Sequence, residues 1–259
     1  MTATGPMSSR YDPAEFWNKR LTADPSLRGT GHRAFSPIYN ELLYAAQAEA
    51  LTDLLHKWQI DLSGAAVLDA GSGVGFYVAF FQSLGAREVV GLDIAEASIH
   101  HLQSRFPGYA FYEADIGSPH IPLDRQFDFV CAISVLYHLT DDIRFENALQ
   151  NLARSTKLGG CLVVSDQFVT RRFSPRHVRF RSLNSYADRL KASGMEVVDV
   201  APIYYLMNRV FVPVLGPRLL GTSRIAHTLS RVDQRWRRAG RPNGSNMKFL
   251  LARRTTLAG

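Results

Sequence analysis

The sequence predicts an α/β protein in which one open, mostly parallel β-sheet is covered by helices on both faces. Short apolar runs rich in Val, Ile, Leu and Phe alternate with helical patterns from Ala65 to Asp166. Near-continuous apolar strands are typical of parallel strands that are buried on both faces. Right-handed crossovers between such strands give a doubly wound, Rossmann-like fold. The 259 residues, 46% of them hydrophobic, suit a single domain over 1–259.

Residues 1–60 are expected to form helices that cap this sheet. A short helix begins at Pro13 and carries Phe16 and Trp17 on one side, since proline suits the first helical turn. A second, longer helix spans Pro37 to Trp58, with apolar residues at helical spacing.

Residues 61–201 form the core of the predicted domain and supply its strands in order. Five apolar runs are predicted as parallel strands: AAVLDA, EVVGLD, YAFYEAD, FDFVCAIS and GCLVVSD. The helices between them are predicted at FYVAFFQSL, AEASIHHLQSRF and DDIRFENALQNLARST. A further helix, LNSYADRLKASG, and two further strands, MEVVDVA and NMKFLLARR, bring the sheet to seven strands.

A basic segment interrupts the pattern before the last strand. Residues 202–245 exceed the few residues that normally join such elements, so they are predicted as an insertion, helical in part, and 246–259 as the last strand and tail. From Arg209 onward the chain has eleven Lys or Arg and one acid, Asp233, whereas residues 1–208 sum to −3. This segment could be a lid, a contact in a homodimer, or a solvated face that attracts anions.

The glycine-rich stretch VLDAGSGVGFYV follows the first predicted strand and indicates a nucleotide-like ligand. A triphosphate loop is excluded because no Lys follows these glycines. Gly71 and Gly73 fit the dinucleotide pattern GxGxxG, but Phe76 stands at its third glycine. Asp69 would repel a pyrophosphate and would suit an ammonium or sulfonium group. The loop therefore favours a cationic amino-acid nucleoside.

Two further acids follow the next strands. Asp93 ends the second strand, where a carboxylate can accept hydrogen bonds from both ribose hydroxyls. Asp115 follows the third strand, where it could accept from the exocyclic amine of adenine. Aspartate is also a common turn residue after strands, so each acid alone has this second interpretation. The order of the glycines, Asp69 and these acids favours ligand binding.

The stretches VLDAGSGVGFYV, GLDI, YEADI and FDFVCAISVLYHLTDD resemble successive motifs of the class I S-adenosylmethionine-dependent methyltransferases. The resemblance covers about residues 60 to 170 and is closest to bacterial small-molecule enzymes related to ubiquinone and menaquinone biosynthesis. It implies S-adenosylmethionine as cofactor and S-adenosylhomocysteine as product.

The resemblance also assigns residues to parts of the cofactor. The residues implied at its methionine part are Asp69, Gly71, Ser72, Gly73, Gly75 and, near the donor methyl, Ser134. The residues implied at its nucleoside part are Asp93 at the ribose, Ile94 packed on the adenine, and Asp115 with Ile116 at the adenine edge.

His138 is the candidate general base for methyl transfer to a hydroxyl. It follows the strand end that faces the donor methyl in the resemblance, although it could instead only cap or pack there. Tyr137 is expected to shape the site rather than act as the base, because an ordinary Tyr titrates near 10. No catalytic metal is expected, since Ser134 and Asp166–Gln167 stand where catechol-type enzymes have Asp and Asp-Asn. Magnesium held elsewhere by Asp141, Asp142 or Asp166 stays an alternative.

The acceptor is predicted to be a small molecule, a glycan or a sugar-containing metabolite. Aromatic and Arg-rich walls suit such ligands, and the candidates for them are Tyr11, Phe16, Trp17, Tyr39, Tyr44, Arg171 to Arg181, Tyr204, Tyr205, Arg209 and Trp236. RNA is the alternative acceptor because of the basic segment, but the [DN]PP[YF] motif of base-methylating enzymes is missing. A lipid or quinone acceptor and a non-enzymatic cofactor-binding regulator are further alternatives.

The expected location is the cytoplasm. No secretory leader or 20-residue apolar window occurs in the sequence. The two cysteines, Cys131 and Cys161, lie inside apolar runs and are expected to be reduced core thiols.

Overall fold

Seven β-strands form one sheet in the order β3-β2-β1-β4-β5-β7-β6 in the computed structural model, which describes residues 11–169, 176–208, 223–241 and 244–255. The strands are β1 Ala66–Ala70, β2 Glu88–Asp93, β3 Ala110–Glu113, β4 Phe127–Ala132, β5 Thr156–Asp166, β6 Met195–Tyr204 and β7 Met247–Arg254. The first five strands are parallel, and β7 runs antiparallel to β5 and β6. This confirms the predicted mostly parallel, seven-stranded, Rossmann-like sheet.

Helices follow the predicted order along the chain. They are α1 Pro13–Ala23, α2 Leu27–Thr30, α3 Pro37–Lys57, α4 Phe76–Ser83, α5 Glu96–Arg105, α6 Asp142–Ser155, α7 Leu183–Ala192 and α8 Ser223–Arg238. Side-chain oxygens cap several of their first turns, as when Asp12 accepts from Ala14 N and Glu15 N at α1. Ser36 caps α3 in the same way by accepting from Tyr39 N.

The hydrophobic core lies on both faces of the sheet. Alternate strand residues such as Val67, Phe129 and Val163 pack under α3, α4 and α5. Their neighbours along the strands, such as Leu68 and Val130, pack under α6 and α7. Because both faces are covered, the strands are apolar without alternation, which is the pattern that the sequence shows.

The centre of the sheet positions the site. Strand β1 lies between β2 and β4, so the chain turns in opposite directions from neighbouring strands at this point. The carboxyl ends of parallel strands meet at one edge, and ligands of open α/β sheets bind in the crevice at such a switch point. The turns after β1, β2 and β4 therefore face one another there.

Helix α8 is held against α3 by charged side chains. The guanidinium of Arg237 is 2.7 Å from Glu49 Oε2 and 3.3 Å from Asp53 Oδ2. Asp233 is fully buried and accepts hydrogen bonds from the backbone N–H groups of Leu206 and Met207. Asp233, the one acid of the basic segment, thus links α8 by hydrogen bonds to the backbone that follows β6.

Residues after position 202 continue the sheet before the helix begins. Strand β6 extends to Tyr204, two residues past the expected start of the insertion, and Ile203, Tyr204 and Met207 are buried in the core. Within the described ranges, no helix is long and apolar enough to cross a membrane.

Candidate active site

The loop after β1 depends on glycines at positions 71 and 73. Gly71 has a φ of 83° and Gly73 a φ of 53°, in the left-handed region that favours glycine. A Cβ at Gly71 would overlap Val135, and one at Gly73 would lie 2.8 Å from Thr30 Cγ2. The N–H groups of Gly71 and Ser72 donate to Leu92 O at 2.7 and 2.9 Å, so the loop is tied to β2.

Asp93, at the end of β2, holds the same loop. Its Oδ2 accepts from Gly73 N at 2.7 Å and its Oδ1 accepts from Ala95 N at 2.9 Å. Burial raises the pKa of Asp93, while these backbone donors oppose the rise. Each carboxylate oxygen has a further lone pair, so Asp93 can accept hydrogen bonds from a ligand as well.

Asp69 is a buried carboxylate in β1 with an unsatisfied oxygen. Its Oδ1 lies 3.4 Å from the Cys131 thiol, and its buried Oδ2 has no hydrogen-bond partner in the described part of the chain. Burial raises the pKa of Asp69 to about 7. A buried polar atom without a partner is costly, and a ligand ammonium is the kind of group that would relieve it.

A cavity opens over this loop and collects most of the predicted cofactor residues. The predicted residues among its lining are Gly71, Ser72, Gly73, Asp93, Ile94, Asp115, Ile116, Ser134 and His138. Two carboxylates but neither Lys nor Arg occur among its described lining residues. This cavity, the cofactor cavity below, therefore suits a neutral or cationic nucleoside and offers a phosphate no counter-charge.

Two predicted cofactor residues, Asp69 and Gly75, are not among the residues that the structure shows lining this cavity. Gly75 has a φ of 79°, and a Cβ there would meet Phe106 and Leu102. The absence of a side chain at position 75 thus allows the loop to pack closely on α5 and on the segment that follows α5.

Asp115 lines the cofactor cavity, and its carboxylate already has two protein partners. Oδ2 is 2.5 Å from the guanidinium of Arg144, and Oδ1 accepts from Gly117 N at 2.9 Å. Ile116 beside it is buried and contributes an apolar wall.

A second cavity of about 820 Å³ adjoins the first. The two share the residues Trp17, Thr30, Tyr44, Ser134 and His138. This second cavity, called the acceptor cavity below, also has many polar residues in its lining, among them Arg20, Gln47, Tyr137, Gln167, His177, Asn208 and Asn246. The shared residues mark where two ligands would meet.

His138 lies at this meeting point with one ring nitrogen free to accept a proton. It ends a short 3₁₀ helix, Leu136–His138, and its Nδ1 is 2.9 Å from the carbonyl oxygen of His177. A carbonyl can only accept, so Nδ1 carries the hydrogen and Nε2 keeps its lone pair. Burial lowers the pKa of His138 to about 4, which keeps the imidazole neutral near pH 7.

Tyr137 and Ser134 complete the strand end beside His138. Burial raises the pKa of Tyr137, so its hydroxyl stays protonated, and it hydrogen-bonds to the Ser134 side chain. Ser134 has a φ of 62°, unusual for a non-glycine residue, and its N–H donates to Ser165 Oγ at 2.7 Å. The turn after β4 is thus held in an uncommon conformation by a bond to β5.

The predicted aromatic walls divide into three groups. Trp17 and Tyr44 line both cavities, and Tyr204 lines the acceptor cavity. Two side chains of the N-terminal region, Tyr11 and Phe16, pack on each other and on His177. The remaining three, Tyr39, Tyr205 and Trp236, are not among the described residues lining either cavity.

The predicted arginines of the walls are only partly described. Arg171, Arg172 and Arg209 lie outside the described residues. Arg179 and Arg181 both pair with Asp142, at 2.8 and 3.1 Å. They therefore hold the segment before α7 against the start of α6.

The carboxylates that could serve a metal have protein partners. Asp141 caps α6, and Asp166 accepts from the Tyr186 hydroxyl at 2.6 Å, while burial raises its pKa to about 6. In the ranges that the structure describes, no three His, Cys, Asp or Glu side chains form a group that could hold a metal ion.

Several lining residues were not predicted from the sequence. Arg20, Gln47, Asn208 and Asn246 come from four separate parts of the chain. None of them stands in a motif, and only the packing of α1, α3 and the β6–β7 region brings them together. Sequence spacing carries no signal for such a set.

Comparison with known proteins agrees with this geometry. Residues 67–160 match a family model described as a methyltransferase domain. A protein of Mycolicibacterium smegmatis named as a probable S-adenosylmethionine-dependent methyltransferase is 27% identical over 184 residues, or 68% of each chain. A tRNA U34 carboxymethyltransferase of Idiomarina loihiensis is 28% identical over 55% of this chain and 52% of its own.

A mitochondrial ubiquinone biosynthesis O-methyltransferase of Dictyostelium discoideum is 31% identical over 41% of this chain and 36% of its own. The matches thus span between about a third and two thirds of these relatives. Among solved structures, magnesium protoporphyrin IX methyltransferase of Synechocystis with bound S-adenosylmethionine has a TM-score of 0.59 at 15% identity. It covers 95% of this chain and 99% of its own, which shows a shared fold.

Proposed function

Because this chain carries a class I S-adenosylmethionine-dependent methyltransferase domain, we propose that it methylates a hydroxyl group of a small molecule, a sugar or oligosaccharide, or a sugar-containing metabolite. The observation that carries the proposal is the neutral His138, with Nε2 unprotonated, where the cofactor and acceptor cavities meet. A hydroxyl acceptor must lose a proton as it is methylated, and a neutral imidazole can take it.

The residues of the cofactor cavity fit S-adenosylmethionine. Asp93 would accept from the ribose hydroxyls, and the aliphatic Ile94 and Ile116 would pack on the adenine. The unpartnered Oδ2 of Asp69 supports an ammonium group near the loop. The bound cofactor supplies an electrophilic methyl group on a sulfur that leaves as a neutral thioether.

The chain's contribution to the reaction is alignment, exclusion of water and proton removal. Trp17, Tyr44 and Ser134 line both cavities, so they would align an acceptor oxygen with the methyl group. As the new O–CH₃ bond forms, Nε2 of His138 would take the hydroxyl proton and later release it to water. General base catalysis of this kind contributes roughly 10²–10⁴-fold.

The proposal is tested by transfer of labelled methyl from S-adenosylmethionine into a fractionated cell extract. We expect a low-molecular-mass product whose label resists mild alkali, as a methyl ether does. Label released by mild alkali would indicate a carboxyl ester, and label on nitrogen would indicate an amine acceptor. Either result would contradict hydroxyl methylation.

RNA is the second candidate acceptor because α8 presents an exposed row of arginines. Arg224, Arg231, Arg235 and Arg238 are exposed, and no ion pair to an acid is recorded for any of them within the described residues. Similarity to a tRNA U34 carboxymethyltransferase also favours this alternative. Ribonuclease-sensitive label, together with RNA binding that weakens steeply with salt, would support RNA in place of a small molecule.

A further inference from the structure

Arg20 places a positive charge in the acceptor cavity without an acidic partner. It lies near the end of α1 and lines that cavity with its side chain half-buried. Its guanidinium donates to the carbonyl oxygens of Gly29 and Gly31. No Asp or Glu of the described residues forms an ion pair with it. Its direct partners are these carbonyl oxygens and the rings of Phe16 and Trp17, and the Asp24 carboxylate acts on it only from beyond ion-pair distance.

The two carbonyl bonds leave most of the guanidinium free for a ligand. A guanidinium has five N–H groups in a planar fork, and these bonds use the Nε donor and one Nη2 donor. The remaining N–H groups suit the two oxygens of a carboxylate or phosphate. A partly buried cation without an anion is unfavourable, and an acidic ligand would compensate it.

Two carbonyl oxygens in the same cavity need hydrogen-bond donors. Gln167 Oε1 and Asn246 Oδ1 are buried without a partner in the described part of the molecule. The Asn246 amide is oriented by a 2.9 Å bond from its Nδ2 to Met207 O, so Oδ1 is left as an acceptor. Both residues line the acceptor cavity. Hydroxyl groups of a ligand are suitable donors for them.

We propose that the acceptor is a hydroxylated anion, whose carboxylate or phosphate binds Arg20 and whose hydroxyls donate to Gln167 and Asn246. This inference rests on the proposed function and narrows its acceptor from sugars and small hydroxyl compounds in general to acidic ones, such as sugar acids or sugar phosphates. Arg20 is then a specificity-determining residue, and His138 serves the hydroxyl that reaches the cofactor.

The first experiment separates this inference from the function on which it rests. A metabolite extract is divided on an anion exchanger, and each fraction is incubated with labelled S-adenosylmethionine and the full chain. We expect label in products from the retained fraction. Label only in products from the unretained fraction would overturn the inference and leave methyl transfer standing. Label in neither fraction would overturn the proposed function itself.

Treatment of the retained fraction distinguishes the two sources of the anion. Phosphatase treatment before the assay abolishes labelling if the anion is a phosphate monoester. Amidation of carboxyl groups with methylamine abolishes it if the anion is a carboxylate. Labelling that survives both treatments in full would contradict recognition of either group.

The second experiment compares Arg20→Gln with Lys19→Gln, which removes the same charge from an exposed position of the same helix. Arg20→Gln removes charged hydrogen bonds to the acceptor. Its apparent KM for the acceptor in the retained fraction should therefore rise roughly 10- to 100-fold, with a smaller change in kcat. The KM of Arg20→Lys for the acceptor should lie between those of wild type and Arg20→Gln. Equal KM values for Arg20→Gln and Lys19→Gln would overturn the proposal.

A measurement on the wild-type chain covers the case in which Arg20→Gln does not fold. Folding of each variant is checked by the rise in Tm with S-adenosylhomocysteine. In the wild type, inorganic phosphate should compete with the acceptor and leave the KM for S-adenosylmethionine unchanged. Failure of phosphate at tens of millimolar to compete with the acceptor would argue against an anion site.

Discussion

At the scale of single residues, His138 should carry the proton transfer. Replacing it with Ala removes the free Nε2 and should lower kcat by roughly 10²–10⁴-fold. Because burial lowers the pKa of His138 to about 4, its base form persists from pH 5 to pH 8. The kcat/KM of the wild type should therefore show no acid limb near the ordinary histidine value of 6.5. Steady-state kinetics across this pH range on the identified acceptor provide the measurement.

His100 supplies the control for this substitution. It is exposed on α5, so His100→Ala should leave kcat within about twofold of wild type, as surface substitutions usually do. Near-full turnover of His138→Ala would remove the assignment of His138 as the base. An acid limb near pH 6.5 that disappears in His138→Ala would show that the imidazole is less shielded than its burial indicates.

Asp69 should make the stability of the ligand-free protein fall as pH rises. Burial raises its pKa from 3.8 to about 7, so between these values the folded protein keeps a proton that the unfolded chain has released. The folded state then loses stability with rising pH, by up to about 1.4 kcal/mol per pH unit, until pH exceeds 7. Asp69→Asn abolishes this contribution.

The measurement is the Tm of the variant minus that of the wild type from pH 5 to pH 8. This difference should shift in favour of Asp69→Asn up to about pH 7 and then level off. The Asn side chain of the variant could also change stability by an amount that does not depend on pH. Such a change shifts the Tm difference equally at every pH and does not affect its slope against pH. A difference that stays constant over this range would show that Asp69 is ionised in the folded protein at pH 5.

At the scale of elements, the loop between β1 and α4 should tolerate no side chain at Gly71. Gly71→Ala combines a φ of 83° with an overlap on Val135, in the wall of the cofactor cavity. We expect a loss of S-adenosylhomocysteine affinity of at least about tenfold, since strain and overlap each cost on the order of 1 kcal/mol or more. Isothermal titration calorimetry measures the affinity.

Gly64→Ala is the matched control for that prediction. Gly64 has a φ of 70°, but a Cβ there meets nothing within 4 Å. The Gly64→Ala substitution therefore adds the same kind of backbone strain without the overlap, and the affinity for S-adenosylhomocysteine should stay close to that of wild type. Equal losses in the two variants would trace the effect to backbone strain and not to the shape of the cavity.

The elements themselves were predictable because each has a local cause. The strands are apolar throughout since both faces of the sheet are covered, and Pro13 and Pro37 mark the starts of α1 and α3. The capping position of α1 was predicted, but its contact with the strand end after β4 was not. Its Trp17 contacts His138 edge-to-face at 4.9 Å, a contact across more than a hundred residues that depends on tertiary packing alone.

At the scale of the whole molecule, some residues of the candidate site meet because of the order of the strands, and others meet only through tertiary packing. The glycines and Asp93 follow consecutive strands of one sheet, so their meeting follows from topology. Arg20, Gln47 and Asn246 meet only because α1, α3 and the chain before β7 pack over the same edge. The residues that line the cofactor cavity could therefore be brought together from the sequence, whereas these polar residues of the acceptor cavity required the packed structure.

The folded molecule should be stabilised as a whole by its cofactor product. Binding that is specific to the folded state adds about 2.7 kcal/mol at a ligand concentration of 100 Kd. For a domain of this size, each kcal/mol raises Tm by roughly 2–4 °C, so S-adenosylhomocysteine should raise it by roughly 5–11 °C.

Asp93→Ala, which removes the carboxylate between Gly73 N and Ala95 N, should lose most of this shift at the same ligand concentration. The exposed Asp124→Ala is the control and should keep it. A wild-type Tm unmoved by saturating S-adenosylhomocysteine would contradict cofactor binding, and an undiminished shift in Asp93→Ala would contradict the ribose assignment alone.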